Sequence, residues 1–188
     1  MVARPALEFS TVLPSSEFRR RASHIKMVLT DNDGVLTDTG VYYSETGEFL
    51  KRYSVRDGMA VELLRNVGIE TGIITAEKSE SLQKRAEKLQ IRHVYLGIND
   101  KLTHLNTILG LTRFSMGQLA YIGDDVNDLA ILNAVGLSGL TGAPVDAVSS
   151  VQSGVHYISR FPGGHGAFRD FADWILDLRE RAAKGRRS

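Results

Sequence analysis

The stretch VLTDNDGVLTDTG, residues 28–40, gathers negative charge at the end of an apolar run. It opens as an apolar run and then places three carboxylates, Asp31, Asp33 and Asp38, around Gly34. Like charges raise one another's pKa unless a positive charge offsets them. A buried strand that ends in carboxylates therefore indicates a cation site, or else only a polar turn, since Asn, Asp and Gly all favour turns.

The composition is that of a globular chain. The 188 residues are 43% hydrophobic, and 23 basic residues against 22 acidic ones leave a net charge of +1. This length suits one domain with a sizeable core, and the balanced charge gives no reason to expect nucleic acid as a partner. Without cysteine, a disulfide framework and a thiolate site are excluded. No apolar run approaches the roughly 20 residues that span a bilayer, so we expect no membrane partner and a cytoplasmic location.

Short apolar runs alternate with helical patterns along the chain. Strands are predicted over 25–30, 70–76, 93–97, 118–125, 137–142 and 156–159, helices over 57–68, 79–90, 101–112, 126–136, 147–154 and 166–183, and a hairpin over 40–55. This alternation predicts an α/β fold, a parallel sheet with helices on both faces. We expect a single domain over 24–180, with the hairpin inserted after the first strand. A solvated N-terminal arm over 1–23 and a basic tail over 181–188 flank the domain.

Polar side chains follow several of the predicted strands. Asp31 and Asp33 come after the first strand, Thr75 and Asp124 fall at the ends of two others, and Lys101 opens a helix after a fourth. Parallel sheets bind ligands at the carboxyl ends of their strands. The sequence therefore predicts that three acids, a hydroxyl and an ammonium meet at one rim of the sheet.

These groups suit phosphoryl transfer. Mg²⁺ prefers oxygen ligands, which Asp31, Asp124 and the carbonyl of Asp33 can supply. A carboxylate such as Asp31 can then attack phosphorus and form an aspartyl-phosphate, while Asp33 protonates the leaving oxygen and later deprotonates water. Thr75 and Lys101 can stabilise the phosphoryl oxygens.

DNDGVLTD, the Thr of GIITA, Lys101 in NDK, and GDDVND resemble, in order over residues 25–136, the four motifs of the haloacid dehalogenase (HAD) phosphohydrolases. The resemblance implies a Rossmann-like HAD fold and a Mg²⁺ cofactor. It implies that Asp31 is the nucleophile and Asp33 the general acid/base. It also implies that phosphate is bound by Thr75, Ala76 and Lys101, and that the metal is bound by Asp31, Asp33 and Asp124. Supporting roles fall to Asp125 and Asp128. Asn32 is expected to point away from the metal and to matter little.

A narrower resemblance covers about residues 24–178. DGVLTDTGVYYSETGEFLKRYSVRDG, LQKRAEKL, AYIGDDVNDL and GGHGAFRDF are similar to 3-deoxy-D-manno-octulosonate 8-phosphate (KDO-8-phosphate) phosphatases and to the related nonulosonate 9-phosphate phosphatases. Membership of the first group would imply a step toward the sugar acid of lipopolysaccharide. Membership of the second would imply a step toward a sialic-acid-like surface sugar. Glu77 with Lys88 resembles the nonulosonate branch, so the branch stays open.

The resemblance also implies contacts with the sugar acid. The candidate substrate-binding residues are Asp57, Glu77, Arg85, Lys88 and Arg169. Simpler interpretations compete with these: Arg85 and Lys88 lie on a helix with acids at ion-pairing spacing, and Asp57 is suited to cap a helix.

The spacing leaves no room for a separate cap domain. Only 36 residues separate Asp38 from Thr75 and 25 separate Thr75 from Lys101, and the predicted hairpin and helices fill both gaps. The resemblance implies a homotetramer in which a neighbouring subunit closes each capless site. The glycine-rich segment 162–170 is predicted to be a flexible lid.

Other functions share some of these features. A phospho-acceptor domain of the receiver type also uses paired acids, a hydroxyl and a Lys, but its acid pair lies on the first strand and its phosphorylated Asp on a middle one. A catalytically idle oligomerisation module is a second alternative, although all the catalytic groups are present. A phosphotransferase or mutase is a third, but such relatives usually need a cap.

Overall fold

Six parallel strands form the sheet in the computed structural model, which describes residues 12–185. The strands are β1 (Met27–Thr30), β2 (Tyr42–Ser44), β3 (Gly47–Leu50), β4 (Glu70–Ile74), β5 (His93–Tyr95), β6 (Leu119–Ile122), β7 (Leu140–Ala143) and β8 (Tyr157–Ile158). The sheet order is β5-β4-β1-β6-β7-β8, while β2 and β3 pair with each other as an antiparallel hairpin. The predicted α/β class and the hairpin inserted after the first strand are confirmed.

Helices cover both faces of the sheet. They are α1 (Ser15–His24), α2 (Val55–Asn66), α3 (Glu80–Leu89), α4 (Lys101–Thr112), α5 (Leu129–Gly136), α6 (Ser149–Gln152) and α7 (Ala167–Lys184). Alternation along β1 divides the core in two: Val28 packs with residues of α2, α3 and α7, whereas Met27 and Leu29 pack with residues of α4 and α5. All four residues of β1 are buried, as expected for a central strand covered on both faces.

Two strands next to the site end earlier than the sequence predicts. The strand predicted over 118–125 stops at Ile122, and the one over 70–76 stops at Ile74. Gly123 and Thr75 therefore lie beyond regular strand, where the chain leaves the sheet. The polar residues of the predicted rim are carried by the loops that follow the strands.

Helix α1 lies within the segment predicted to be a solvated arm. Its Arg21 is buried, and the guanidinium donates to the carbonyls of Gly136 and Gly139, both at 2.9 Å, and of Leu137 at 3.1 Å. These carbonyls lie at and just after the C-terminus of α5, where a cation is favourable. The arm prediction therefore fails for 15–23, because a basic residue that looks solvated in the sequence satisfies a helix end. The rest of the predicted arm, residues 1–11, and residues 186–188 of the tail lie outside the described residues.

Within residues 12–185, no helix combines the length and apolar character that crossing a bilayer requires.

Replacing Arg21 tests whether α1 belongs to the cooperative unit. We expect Arg21→Met to lower the free energy of unfolding by about 2–3 kcal/mol, because buried carbonyls lose a charged donor. Arg20→Met is the matched control. Both arginines bond to Glu17, but the side chain of Arg20 is 61% exposed and that of Arg21 only 10%.

Urea unfolding of both variants measures the difference. The control is expected to change stability by no more than about 0.5 kcal/mol. Equal effects of the two substitutions would contradict an integral role for α1.

Candidate active site

The site lies at the carboxyl ends of three neighbouring strands. Asp31 follows β1 at the centre of the sheet, Thr75 follows β4 on one side, and Asp124 lies two residues beyond β6 on the other. The N–H of Asp31 donates to the carbonyl of Ile122 at 3.0 Å, so the ladder between β1 and β6 extends to the first residue of the site. Thr75 is buried, and its hydroxyl accepts the N–H of Glu77 at 3.2 Å.

Lys101 forms ion pairs with the carboxylates of Asp31 and Asp128. Its Nζ lies 3.0 Å from Oδ2 of Asp31 and 2.6 Å from Oδ1 of Asp128. The hydroxyl of Tyr121 donates to the same Oδ1 of Asp128 at 2.5 Å. All four side chains are buried. Asp128 therefore orients Lys101 toward Asp31, and Tyr121 is a further partner that the sequence motifs do not indicate.

Three carboxylates crowd this space. One oxygen each from Asp31, Asp124 and Asp128 lie within 4.8 Å of one another. Burial, together with the charge of Asp128, raises the pKa of Asp31 to about 7 even though Lys101 opposes the shift. Burial and the neighbouring carboxylates, Asp31 first, raise the pKa of Asp124 to about 8. One ammonium does not balance the cluster, so a further cation is needed for all three carboxylates to ionise near neutral pH.

Unused oxygens identify the groups that fit a divalent metal. Oδ1 of Asp124 is buried with no hydrogen-bond partner among residues 12–185. Asp128 is a poorer ligand, since its Oδ1 serves Lys101 and its Oδ2 accepts the N–H of Asp124 at 2.9 Å. The oxygen-rich donor set suits a hard cation such as Mg²⁺, and Asp31 and Asp124 are the carboxylates best placed to hold one. The exposed Asp125 instead caps the following turn by accepting the N–H of Val126 at 2.6 Å.

A buried lysine holds the carboxylate of Asp33. Nζ of Lys51 lies 2.7 Å from Oδ1 of Asp33 and 3.3 Å from Glu48, and its side chain is 1% exposed. Asn32 donates to the same Oδ1 at 3.1 Å, so the expectation that Asn32 matters little is corrected. The sequence does not single out Lys51, because it lies 18 positions after Asp33 and only its place beside the aromatic hairpin marks it.

Asp57 has a structural role in place of the predicted contact with substrate. It is 2% exposed, and its carboxylate accepts the N–H groups of Gly166 at 3.1 Å and of Arg169 at 2.8 Å. Asp57 on α2 therefore caps the N-terminus of α7, while Ser54 caps α2 itself. The side chain of Arg169 pairs with Asp173 at 2.8 Å along α7.

The other candidate substrate contacts are spread along α3. Arg85 donates to the carbonyl of Ser54 at 2.9 Å and lies over the ring of Tyr53, with its Cζ 5.9 Å from the ring centre. Glu77 precedes the helix, Lys88 lies in its last turn, and both are exposed. No contact within residues 12–185 joins these three side chains to Asp31.

The glycine-rich segment 162–170 is docked against the first site loop. The N–H of Gly164 donates to the carbonyl of Val35 at 2.9 Å, and a Cβ on Gly163 would lie 2.0 Å from the carbonyl oxygen of Gly34. Both glycines of the pair are buried. The prediction of a flexible lid is therefore corrected, because glycine serves here for close approach of two backbones.

Comparison with known proteins identifies relatives over most of the chain. The chain is 38% identical over 157 residues to the 3-deoxy-D-manno-octulosonate 8-phosphate phosphatase KdsC of Yersinia pestis, an alignment that covers 84% of this chain and 82% of the relative. No family model matches the chain.

Solved structures agree with this relationship. The cobalt-bound phosphatase of Haemophilus influenzae is 34% identical with a TM-score of 0.81, and the match covers 86% of this chain and 93% of that one. The Moraxella catarrhalis phosphatase, in complex with magnesium, phosphate and KDO, is 32% identical with a TM-score of 0.81 over 90% and 95% of the two chains.

A Legionella pneumophila neighbour, described as a HAD-superfamily hydrolase of subfamily III A, is 33% identical with a TM-score of 0.82 over 89% and 91% of the two chains. The order of the motifs along the chain, the position of the site at the strand ends and these relatives all indicate the same family. The chain belongs to the KDO-8-phosphate phosphatase family of the HAD superfamily.

Proposed function

We propose that this phosphatase removes the phosphate of KDO-8-phosphate through an aspartyl-phosphate on Asp31. The observation that carries the proposal is the contact of Lys101 with Asp31 at 3.0 Å, at the end of the central strand. A carboxylate suited to attack phosphorus and an ammonium suited to neutralise a phosphate therefore lie together, which supports the proposal. The Moraxella catarrhalis relative with bound phosphate and KDO supports the choice of sugar, as does the name of the Yersinia pestis relative.

The chain's own groups supply both halves of the reaction. A carboxylate oxygen of Asp31 bonds to phosphorus as the ester P–O bond breaks, and Asp33 gives its proton to the departing sugar oxygen. Asp33 then takes a proton from the water that attacks phosphorus, which releases inorganic phosphate and restores Asp31. Lys101 and the hydroxyl of Thr75 stabilise the phosphoryl oxygens, and Lys51 positions the carboxylate of Asp33.

Asp31, Asp124 and the carbonyl of Asp33 would hold Mg²⁺. The metal, when bound, neutralises the paired carboxylates and draws negative charge from the phosphoryl group. The unpartnered oxygen of Asp124 supports this ligand set.

Apolar exposure on the hairpin supports a homotetramer. Tyr43 is 74% and Phe49 70% exposed, and Tyr42 and Leu50 are exposed beside them. A two-stranded hairpin is marginal on its own, and its exposed aromatic side chains would be buried against a second copy. We propose that the neighbouring subunit covers the rim that a cap domain would otherwise close and brings a basic side chain, such as Arg85, to the substrate's carboxylate.

Phosphate release from KDO-8-phosphate and from a nonulosonate 9-phosphate, assayed side by side with Mg²⁺, tests the function. We expect the eight-carbon substrate to be preferred and chelation of the metal to abolish turnover. Asp31→Asn should lower kcat by at least about 10³-fold, because the nucleophile is lost. Asp177→Asn makes the same chemical change on an exposed face of α7, where Asp177 pairs with Arg181.

The control variant is expected to retain full activity. Preference for the nine-carbon acid would overturn the proposed substrate, and turnover that survives Asp31→Asn would overturn the mechanism.

Gly34 tests the metal ligands separately. A Cβ at this position would lie 2.0 Å from Oδ2 of Asp124, so Gly34→Ala must displace that carboxylate. We expect the Mg²⁺ concentration for half-maximal activity to rise at least about tenfold, since one of few charged ligands moves.

Gly68→Ala is the matched control. Its φ of 74° is close to the 85° of Gly34, but its Cβ would meet nothing within 4 Å. Both variants carry similar backbone strain, of about 1 kcal/mol. The same Mg²⁺ dependence in both would contradict the role of Asp124.

A further inference from the structure

The hairpin brings a second charged side chain close to the candidate active site. Glu48 lies on β3 next to Phe49, whose side chain is 70% exposed. The side chain of Glu48 is only 25% exposed, and its Oε2 lies 3.3 Å from Nζ of Lys51. Lys51 in turn contacts Asp33. The hairpin therefore carries an aromatic side chain toward solvent and a charged pair toward Asp33.

Both carboxylate oxygens of Glu48 have partners. Oε1 accepts the hydroxyl of Ser79 at 2.7 Å, while Oε2 faces Lys51. Ser79 is 3% exposed and immediately precedes α3, on the segment that leads there from Thr75. A carboxylate that is held at both oxygens by two different segments has little freedom to turn. Glu48 is therefore fixed relative to the loop that follows β4.

The contact between Ser79 and Glu48 takes the place of a helix cap. Ser79 occupies the N-cap position of α3, where a serine side chain usually accepts a backbone N–H of the first turn. In this helix the side chain makes no such bond. Its hydroxyl proton goes to Glu48, and the hydroxyl of Ser81 lies 2.8 Å from its oxygen. The side chain best placed to cap α3 is thus committed to the hairpin.

A lysine needs a second anchor to hold a carboxylate in one place. Its ammonium is a point charge on a flexible stem, so a single ion pair fixes its position poorly. Nζ of Lys51 contacts both Asp33 at 2.7 Å and Glu48 at 3.3 Å, and the side chain is 1% exposed. Within residues 12–185, Lys51 is the one cation that forms an ion pair with Asp33. The position of this ammonium therefore determines where the carboxylate of Asp33 lies.

We propose that Glu48 is a positioning residue for the reaction. It holds the ammonium of Lys51, and Lys51 holds the carboxylate of Asp33 where it exchanges a proton with the sugar oxygen and then with water. The reaction thus requires the hairpin to be seated against the segment before α3, where Ser79 fixes Glu48. This inference rests on the proposed role of Asp33 as general acid/base.

Steady-state kinetics of the full chain with Mg²⁺ and KDO-8-phosphate test this role. We expect Glu48→Gln, which keeps the shape of the side chain and an oxygen for Ser79, to lower kcat at least about fivefold, because a misplaced carboxylate transfers a proton poorly. KM should change by less than about twofold, since a positioning residue does not bind substrate. Glu45→Gln makes the same change at the exposed turn of the hairpin and should leave both constants unaltered.

A double variant shows whether Glu48 acts through Lys51. Lys51→Met should lower kcat at least about 20-fold. Addition of Glu48→Gln should cause no further loss, because the ammonium that Glu48 positions is already gone. Losses that multiply, or a rise in KM with kcat unaltered, would contradict the proposal. If Lys51→Met does not fold, Glu48→Gln alone is decisive, and a kcat equal to that of the parent would contradict the proposal.

Asp33→Asn separates this inference from the proposed function. Loss of turnover in Asp33→Asn, together with the parent's kcat in Glu48→Gln, would overturn the positioning role alone. Turnover that survives Asp33→Asn would overturn the assignment of Asp33 as general acid/base, and the positioning role with it.

Discussion

A single ammonium lies among three crowded carboxylates, of which Asp31 and Asp128 are buried and Asp124 is half-buried. Lys101 contacts Asp31 and Asp128, and burial raises the pKa of Asp31 to about 7 and, together with neighbouring acids, that of Asp124 to about 8. A buried charge is tolerated only where partners offset it. The cluster therefore suits a further cation and, under the proposed mechanism, the negative phosphoryl group that would accompany it, and Tyr121 and Asp128 keep Lys101 directed at Asp31.

Close backbone packing fixes the loop around this cluster. Gly34 leaves no room for a side chain beside Asp124, and Gly163 leaves none beside the carbonyl of Gly34. Asp57 caps α7 through the N–H groups of Gly166 and Arg169, so the start of the last helix is held near the first site loop. On the other side, Lys51 links the hairpin to Asp33. Displacement of the hairpin would therefore move a partner of Asp33, the proposed general acid/base.

The sequence predicts the parts of this protein that depend on pattern and order. Strand and helix alternation gives the sheet, and motif order at the strand ends gives Asp31, Lys101 and Asp124. The sequence does not predict features that depend on contacts between residues far apart in the chain. Arg21 looks solvated until α1 meets α5, and Lys51 is an ordinary strand-flanking lysine until the hairpin folds over Asp33. The glycines of 162–170 resemble a mobile lid because flexibility and close packing call for the same residue.

In the proposed mechanism, Asp31 receives the phosphoryl group beside Lys101. A crystal structure with Mg²⁺ and beryllofluoride, a mimic of aspartyl-phosphate, is the decisive measurement. We expect beryllium bonded to a carboxylate oxygen of Asp31, with Nζ of Lys101 within hydrogen-bonding distance of a fluorine. Beryllium bonded to Asp33 or Asp124, or no covalent adduct on Asp31 at saturating reagent, would contradict it.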